Sequence, residues 1–273
     1  MNEGVPKRSR GRPRTQSKDL PGHTVQALDR GLTLLKALTR EGSVTLSDIA
    51  LRVGMPPSTA HRILVTLQKH GFVEFDNSTQ EWAIGIESFR VGSSYLERTN
   101  LVEMAQKIMR ELMEETGETA NLAIGSDGHV VFVSQVETHN PIRAFFRPGT
   151  RGHMHASGIG KALLADMTHL EVEKTLQKTG LPEFTPKTLT SPDELFYDLK
   201  KTSRRRWSFD DEERYLGMRC VAASIYNSRG QAIAGISISG PTVRLPDGDV
   251  DELGPRVRRA ADQITHMIGG KIP

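Results

Sequence analysis

Between residues 45 and 71, two segments of helical periodicity are separated by Gly54-Met55-Pro56. Glycine accepts a positive φ and proline cannot continue a helix, so this tripeptide forces a tight turn between two short helices. Thr45 is placed to cap the first, over about 46–53, with Leu46, Ile49 and Ala50 facing inward. Pro57 suits the first turn of the second, over about 57–70, and Gly71 ends it. An earlier helix, about 24–40 with Thr24 as cap, carries Val25, Leu28, Leu32, Leu35 and Leu38 at helical spacing. Downstream, 72–75 and 81–84 alternate as short strands around Asp76-Asn77-Ser78-Thr79-Gln80, the pattern of a β-hairpin.

Helix, turn, helix and hairpin in that order form a winged helix-turn-helix. A plain structural bundle is the alternative, and the composition of the third helix argues against it. Ala60, Ile63, Leu64 and Leu67 make its buried stripe. Ser58, Thr59, Arg62, Thr66 and Lys69 lie largely opposite, with His61 near the edge. Hydroxyls and a guanidinium near the start of such a helix suit base edges and phosphates of double-stranded DNA. The charge distribution agrees. Residues 1–98 hold 14 Lys/Arg against 10 Asp/Glu, and the rest hold 22 against 23. Residues 1–22 read as a disordered basic arm, and Arg10, Arg12 and Arg14 lie in a Gly- and Pro-broken stretch able to enter an A·T-rich minor groove.

The expected division is a basic arm at 1–22, the DNA-binding domain at 23–85, a linker helix at 86–99 carrying Ile86, Phe89, Val91 and Tyr95, and an α+β domain at 100–273. In the last, strands are expected near 119–125, 130–136, 142–146, 220–226 and 232–239. Helices are expected near 101–115, after Ser157-Gly158, and at 169–179, 192–204 and 250–268. No apolar run is long enough to span a bilayer and no secretory leader is evident, so the expected compartment is the cytoplasm. One cysteine, Cys220, excludes an internal disulfide and a multi-cysteine zinc site, and the nine histidines show no metal-ligand spacing.

Six segments, in order, carry a resemblance to a known family. They are Ala27-Leu28-Asp29-Arg30-Gly31-Leu32, Ser58-Thr59-Ala60-His61-Arg62, Trp82-Ala83-Ile84-Gly85, Met154-His155-Ala156-Ser157-Gly158-Ile159-Gly160-Lys161, Ser208-Phe209-Asp210-Asp211-Glu212-Glu213 and Ile236-Ser237-Ile238-Ser239-Gly240-Pro241. Through them nearly the whole chain resembles the IclR family of bacterial regulators, most of all its glyoxylate- and pyruvate-sensing branch. The resemblance implies a homodimer or dimer of dimers on a near-palindromic operator. It also implies a profilin- or GAF-like second domain that binds a small carboxylate effector, with no cofactor.

By the same resemblance, Gly158, Ile159, Asp210, Cys220, Ser237 and Ser239 match the positions that contact the effector, glyoxylate or a related oxo-acid. The residue types fit. A helix start after Ser157 offers N–H groups to a carboxylate. Ser237 and Ser239, two apart on a strand, present hydroxyls to one side. Asp210 can accept a hydrogen bond, and Cys220 can pack on the carbonyl. Ile159 stands where the branch commonly has alanine, and Pro141-Ile142-Arg143-Ala144-Phe145-Phe146-Arg147 departs from it in the expected apolar wall, so an aromatic acid is an alternative ligand. Two other readings stay open. Cys220, His155 and Asp210 are the residue types of a cysteine hydrolase, though no nucleophile elbow surrounds the cysteine. The second domain can also serve dimerisation alone.

Overall fold

The computed structural model describes residues 25–39, 42–97 and 101–273, the side chains of 93–97 excepted. The basic arm with Arg10, Arg12 and Arg14, and the expected cap Thr24, lie outside these residues. Contacts divide the chain into two units, one ending at Tyr95 and the other spanning Leu96–Pro273.

The first unit contains α1 (Gln26–Leu38), β1 (Ser43–Thr45), α2 (Leu46–Arg52), α3 (Pro57–Lys69), β2 (Val73–Asp76), β3 (Glu81–Ile84) and α4 (Ile86–Glu97). Thr45 caps α2 by accepting the Asp48 N–H. Gly54, at φ +61°, makes the turn into α3, where a β-carbon would be strained. The expected hairpin is present, and β1 adds a third strand in the order β1-β3-β2, with Val44 opposite Trp82. Ser43-Val44-Thr45 is too short to show an alternating pattern, and only pairing with β3 makes it a strand.

The face that α1 buries keeps only Leu38 and, in part, Leu35 of the expected stripe. Leu34 and Leu38 are buried, while Val25, Leu28 and Leu32 are exposed at 67%, 61% and 47%. The helix carries two apolar stripes, and Leu34 and Leu38 belong to the unit's core with Ile49, Ala60, Leu64 and Trp82. Periodicity alone does not rank two stripes.

The second unit contains α5 (Leu101–Thr116), β4 (Thr119–Ser126), β5 (His129–Val136), β6 (Arg151–His153), a 3-10 turn (Met154–Ala156), α6 (Gly158–Ala165), α7 (His169–Thr179), α8 (Pro192–Arg205), β7 (Ser208–Asp211), β8 (Met218–Tyr226), β9 (Ala232–Pro241) and α9 (Asp247–Met267). Six antiparallel strands run in the order β6-β5-β4-β9-β8-β7. The apolar stripes of α5 and α9 form one core with Leu122, Val221, Ala223, Ile236 and Ile238. A second core joins α6, α7 and α8 to Ala123, Val130, Phe132 and Ala222. The sheet is thus sandwiched between helices, as an α+β domain requires. No strand forms at 142–146. That segment is irregular, with Ala144 buried but Ile142 and Phe145 exposed, and the strand beside β5 is β6. Polar 208–211 also forms an edge strand, β7, which shows no apolar alternation in sequence.

A candidate effector cavity and a candidate DNA-reading helix

Strand register assembles the cavity. Asp210 on β7 lies opposite Cys220 on β8, and Cys220 lies opposite Ser239 on β9. One step along, Ala222 faces Ser237, and Ser237 faces Asn121 on β4. Residues directly opposite in a sheet project to the same side. All of these therefore point to the α6 face, where Ser157 caps α6 by accepting the Gly160 N–H and Gly158 opens the helix. Gly158, Ile159, Asp210, Cys220, Ser237 and Ser239 all line one cavity of about 50 Å³.

Gly158 is required here by close approach. A β-carbon on it would stand 2.7 Å from Cys220 Sγ and 3.3 Å from Ala222 Cβ. The Gly158 N–H and the hydroxyls of Ser237 and Ser239 lie beside the Cys220 thiol and favour its ionised form. Burial nevertheless pushes that thiol up to about 11, and the neighbouring Asp210 adds to the effect, so it stays protonated at neutral pH. His155 is not its base. The His155 ring is buried and bonds through Nε2 to the Pro182 carbonyl, and its pKa is lowered, first by burial. Ile159 is almost fully buried, its Cγ2 lying over Gly235, which leaves room for a side chain larger than alanine.

Several positions in and around the cavity have no signal in the linear pattern. Asn121 is fully buried and donates through Nδ2 to Ser239 Oγ (3.1 Å) and Ser237 Oγ (3.4 Å), while Gln135 Nε2 donates to Asn121 Oδ1 (2.7 Å). This chain fixes the serine rotamers and leaves their O–H groups to donate onward. Arg214 lines the cavity with its guanidinium 3.7 Å above the Phe184 ring, and its buried Nη1 has no partner. Phe146 stacks on Phe132 at 4.5 Å to make an apolar wall, so one aromatic of the 141–147 stretch reaches the cavity. Behind the cavity, Lys161 on α6 is 1% exposed and pairs with Glu213 (2.5 Å) and Asp198 (2.9 Å). N–H donors, hydroxyls and an unpaired guanidinium beside an apolar wall suit a small carboxylate.

In the first unit, Ser58, His61, Arg62, Thr66 and Lys69 on α3 are exposed and Thr59 is half-buried. Ser58, Arg62 and Lys69 share one stripe with Val65, four, seven and eleven positions on from Ser58. Thr59, Arg62 and Thr66 border a groove against Leu28 and Leu32 of α1, and Thr66 Oγ1 donates to the Arg62 carbonyl. His61 meets Trp82 of β3 edge-on at 6.3 Å, which ties the helix to the hairpin. Among the described residues, no helix is long and apolar enough to cross a membrane.

Comparison with known proteins agrees with both units. Residues 27–77 match the profile described as the IclR helix-turn-helix domain, and residues 93–266 that described as bacterial transcriptional regulator IclR C-terminal. The chain is 47% identical over 261 residues to the HTH-type transcriptional regulator BhcR of Paracoccus denitrificans, covering 94% of each. It is 44% identical over 249 residues to the transcriptional repressor IclR of Escherichia coli, covering 90% of this chain and 91% of that one. The crystal structure of an IclR homologue from Microbacterium hydrocarbonoxydans complexed with 4-hydroxybenzoate is similar at a TM-score of 0.78 and 26% identity, covering 89% of this chain and 98% of that chain.

Proposed function

The chain belongs to the IclR family of bacterial DNA-binding transcriptional regulators, and from that premise we propose that a small oxo-acid, glyoxylate, bound in the second unit modulates its grip on an operator. The observation that carries this reading is the cavity's size together with its donors. A water needs roughly 10–15 Å³ of such space, so about 50 Å³ takes only a few non-hydrogen atoms. A two-carbon oxo-acid has roughly five, and a hydroxybenzoate about ten. The carboxylate is held by the Gly158 and Ile159 N–H groups, the serine hydroxyls and Arg214, and the carbonyl end lies toward Cys220 and Asp210. The 4-hydroxybenzoate in the solved relative favours an aromatic acid as second reading, and cavity size weighs against it unless Phe146 moves.

Cys220 acts as wall rather than nucleophile in this proposal, because its thiol is held protonated and no imidazole among the described residues bonds to it. In this reading the protein is a cytoplasmic regulator and not an enzyme, controlling genes of glyoxylate, glycolate or related carbon metabolism. Two copies bind a near-palindromic site, alone or as a dimer of dimers. The exposed Val25 just before α1, Leu28 and Leu32 of α1, and Ile86 and Phe89 of α4 support self-association. Ser58, Thr59, His61, Arg62, Thr66 and Lys69 face the major groove, and Arg10, Arg12 and Arg14 of the basic arm reach phosphates or the minor groove.

A mobility shift on the chain's own upstream intergenic DNA tests the effector reading. Glyoxylate at millimolar concentration or below changes the shift and acetate does not. A shift that ignores glyoxylate but answers 4-hydroxybenzoate replaces the first reading by the second. Arg62→Ala weakens operator binding by about 1–3 kcal/mol, roughly 5- to 150-fold. The same loss on random DNA would reduce Arg62 to a phosphate contact.

A further inference from the structure

We propose that Asp210 is the proton acceptor of the effector cavity: a carboxylate entering the cavity is accompanied by uptake of one proton from solvent onto Asp210, which Glu213 and Lys161 hold in place. The inference rests on the effector reading above and adds the charge state in which the site binds.

The geometry starts from an imbalance of charge. Lys161 Nζ is buried, donates to the Phe209 carbonyl, and faces three carboxyls, those of Glu213, Asp198 and Asp210. One ammonium cannot compensate the buried Glu213 and Asp210 together with the partly exposed Asp198, and an uncompensated buried charge is taken out by protonation. Glu213 Oε1 takes the lysine, whereas its Oε2 is buried without any hydrogen-bond partner. A carboxylate oxygen left bare in a protein interior is the oxygen that carries a proton. Asp210 differs in that it borders the cavity. Its Oδ1 accepts the Glu213 N–H at 2.8 Å, so the backbone that carries Glu213 also aims the aspartate.

The surrounding groups do not supply the missing positive charge. From α8 come Asp198 and Arg205, and Arg205 acts on Asp198. On β7, Asp211 is tied to Arg219 of β8 and to Lys187, and Lys187 also holds Glu212. Cys220 of β8 is a neutral thiol. His155, in the turn before α6, is kept neutral chiefly by burial. On the cavity side the cations are the exposed Arg151, which donates to the Ser126 carbonyl, and Arg214, whose buried Nη1 is without a hydrogen bond and is available to the ligand.

Burial raises both acids, Asp210 to about 6 and Glu213 to about 8, with Lys161 opposing the shift in each case. At neutral pH Glu213 therefore already holds its proton and Asp210 is mostly ionised. A ligand carboxylate beside Asp210 adds a like charge and pushes it further up. In its neutral form Asp210 donates an O–H to a ligand oxygen, and in its ionised form it repels the ligand. The bound state holds more protons than the free state, so affinity rises as pH falls.

The test is calorimetric titration of the full chain with glyoxylate at pH 7 in phosphate and in triethanolamine, buffers of different ionisation enthalpy. The expected result is an uptake of about half to one proton per site. A pH series should show affinity falling about five- to tenfold between pH 6.5 and 8. Asp210→Asn binds with an uptake near zero and an affinity that no longer follows pH. Equal heats in the two buffers, or an affinity flat with pH in the unmodified chain, would overturn the inference while leaving the effector reading standing. Uptake that persists in Asp210→Asn would overturn it too. No heat at all removes the effector reading and the inference with it. The pH series on the unmodified chain decides the matter even if the variant does not fold.

Discussion

Above about pH 8, where Glu213 is ionised, Lys161→Met lowers stability by about 3–5 kcal/mol, the usual cost of removing one partner from a buried ion pair. Methionine fills the stem's volume, so packing changes little and the loss is electrostatic. It leaves Glu213, Asp198 and Asp210 facing one another without a cation. The effect depends on pH, and the sign follows from Glu213. Its folded value, about 8, lies above that of an unfolded glutamate. Between the two the native state binds more protons than the unfolded chain, so stability falls as pH rises through that window. Without the lysine the folded value rises further and the loss extends to higher pH. Urea unfolding followed by tryptophan fluorescence, to which Trp207 of the second unit contributes, should show a larger deficit at pH 9 than at pH 6. Lys161→Met with Glu213→Gln should recover part of it. An unfolding midpoint equal to that of the unmodified chain at both pH values would mean that the cluster is not held by this lysine.

Gly158→Ala removes the response to effector while sparing the DNA-binding unit. The added methyl meets Cys220 Sγ at 2.7 Å, and the sulfur can yield only into a cavity of about 50 Å³. Overpacking of this kind costs about 1–3 kcal/mol, and if borne by the bound state it weakens glyoxylate roughly 5- to 150-fold. Operator affinity without effector should stay within about threefold, because the substitution lies in the other unit. Cys220→Ala in the same chain makes room for the methyl and should restore much of the binding. If the double variant binds no better than Gly158→Ala, the defect is in the backbone of α6 and not in the contact with the thiol.

The two units were not equally legible. In the first, α2, the Gly54 turn, α3 and the hairpin are written in short-range chemistry, and those readings hold: Thr45 caps, Gly54 takes a positive φ, and Ala60 and Leu64 are buried. In α1 the helical spacing holds, but of the residues that carry it Leu38 is buried and Leu35 partly so, while Val25, Leu28 and Leu32 stay exposed. In the second unit the long strands and helices were visible, but β6 and β7 were not. Short edge strands owe their conformation to a partner strand, and Ser208-Phe209-Asp210-Asp211 reads as an acidic turn until β8 pairs with it.

The sequence by itself determined a helix-turn-helix with a wing, an α+β domain behind it, and a set of small and polar residues grouped by resemblance. The elements of the first two are each decided within about ten residues, by periodicity, caps and turns, whereas the residue set rests on the resemblance alone. Only the tertiary structure decided that Asn121 reaches Ser237, 116 positions away, that Lys161 is buried against Glu213 and Asp198, and that Arg214 lines the cavity. The reason is register. A one-residue slip of β7 or β9 would turn Asp210 or both serines to the opposite face, and register is set by the packing of the whole sheet between its two cores.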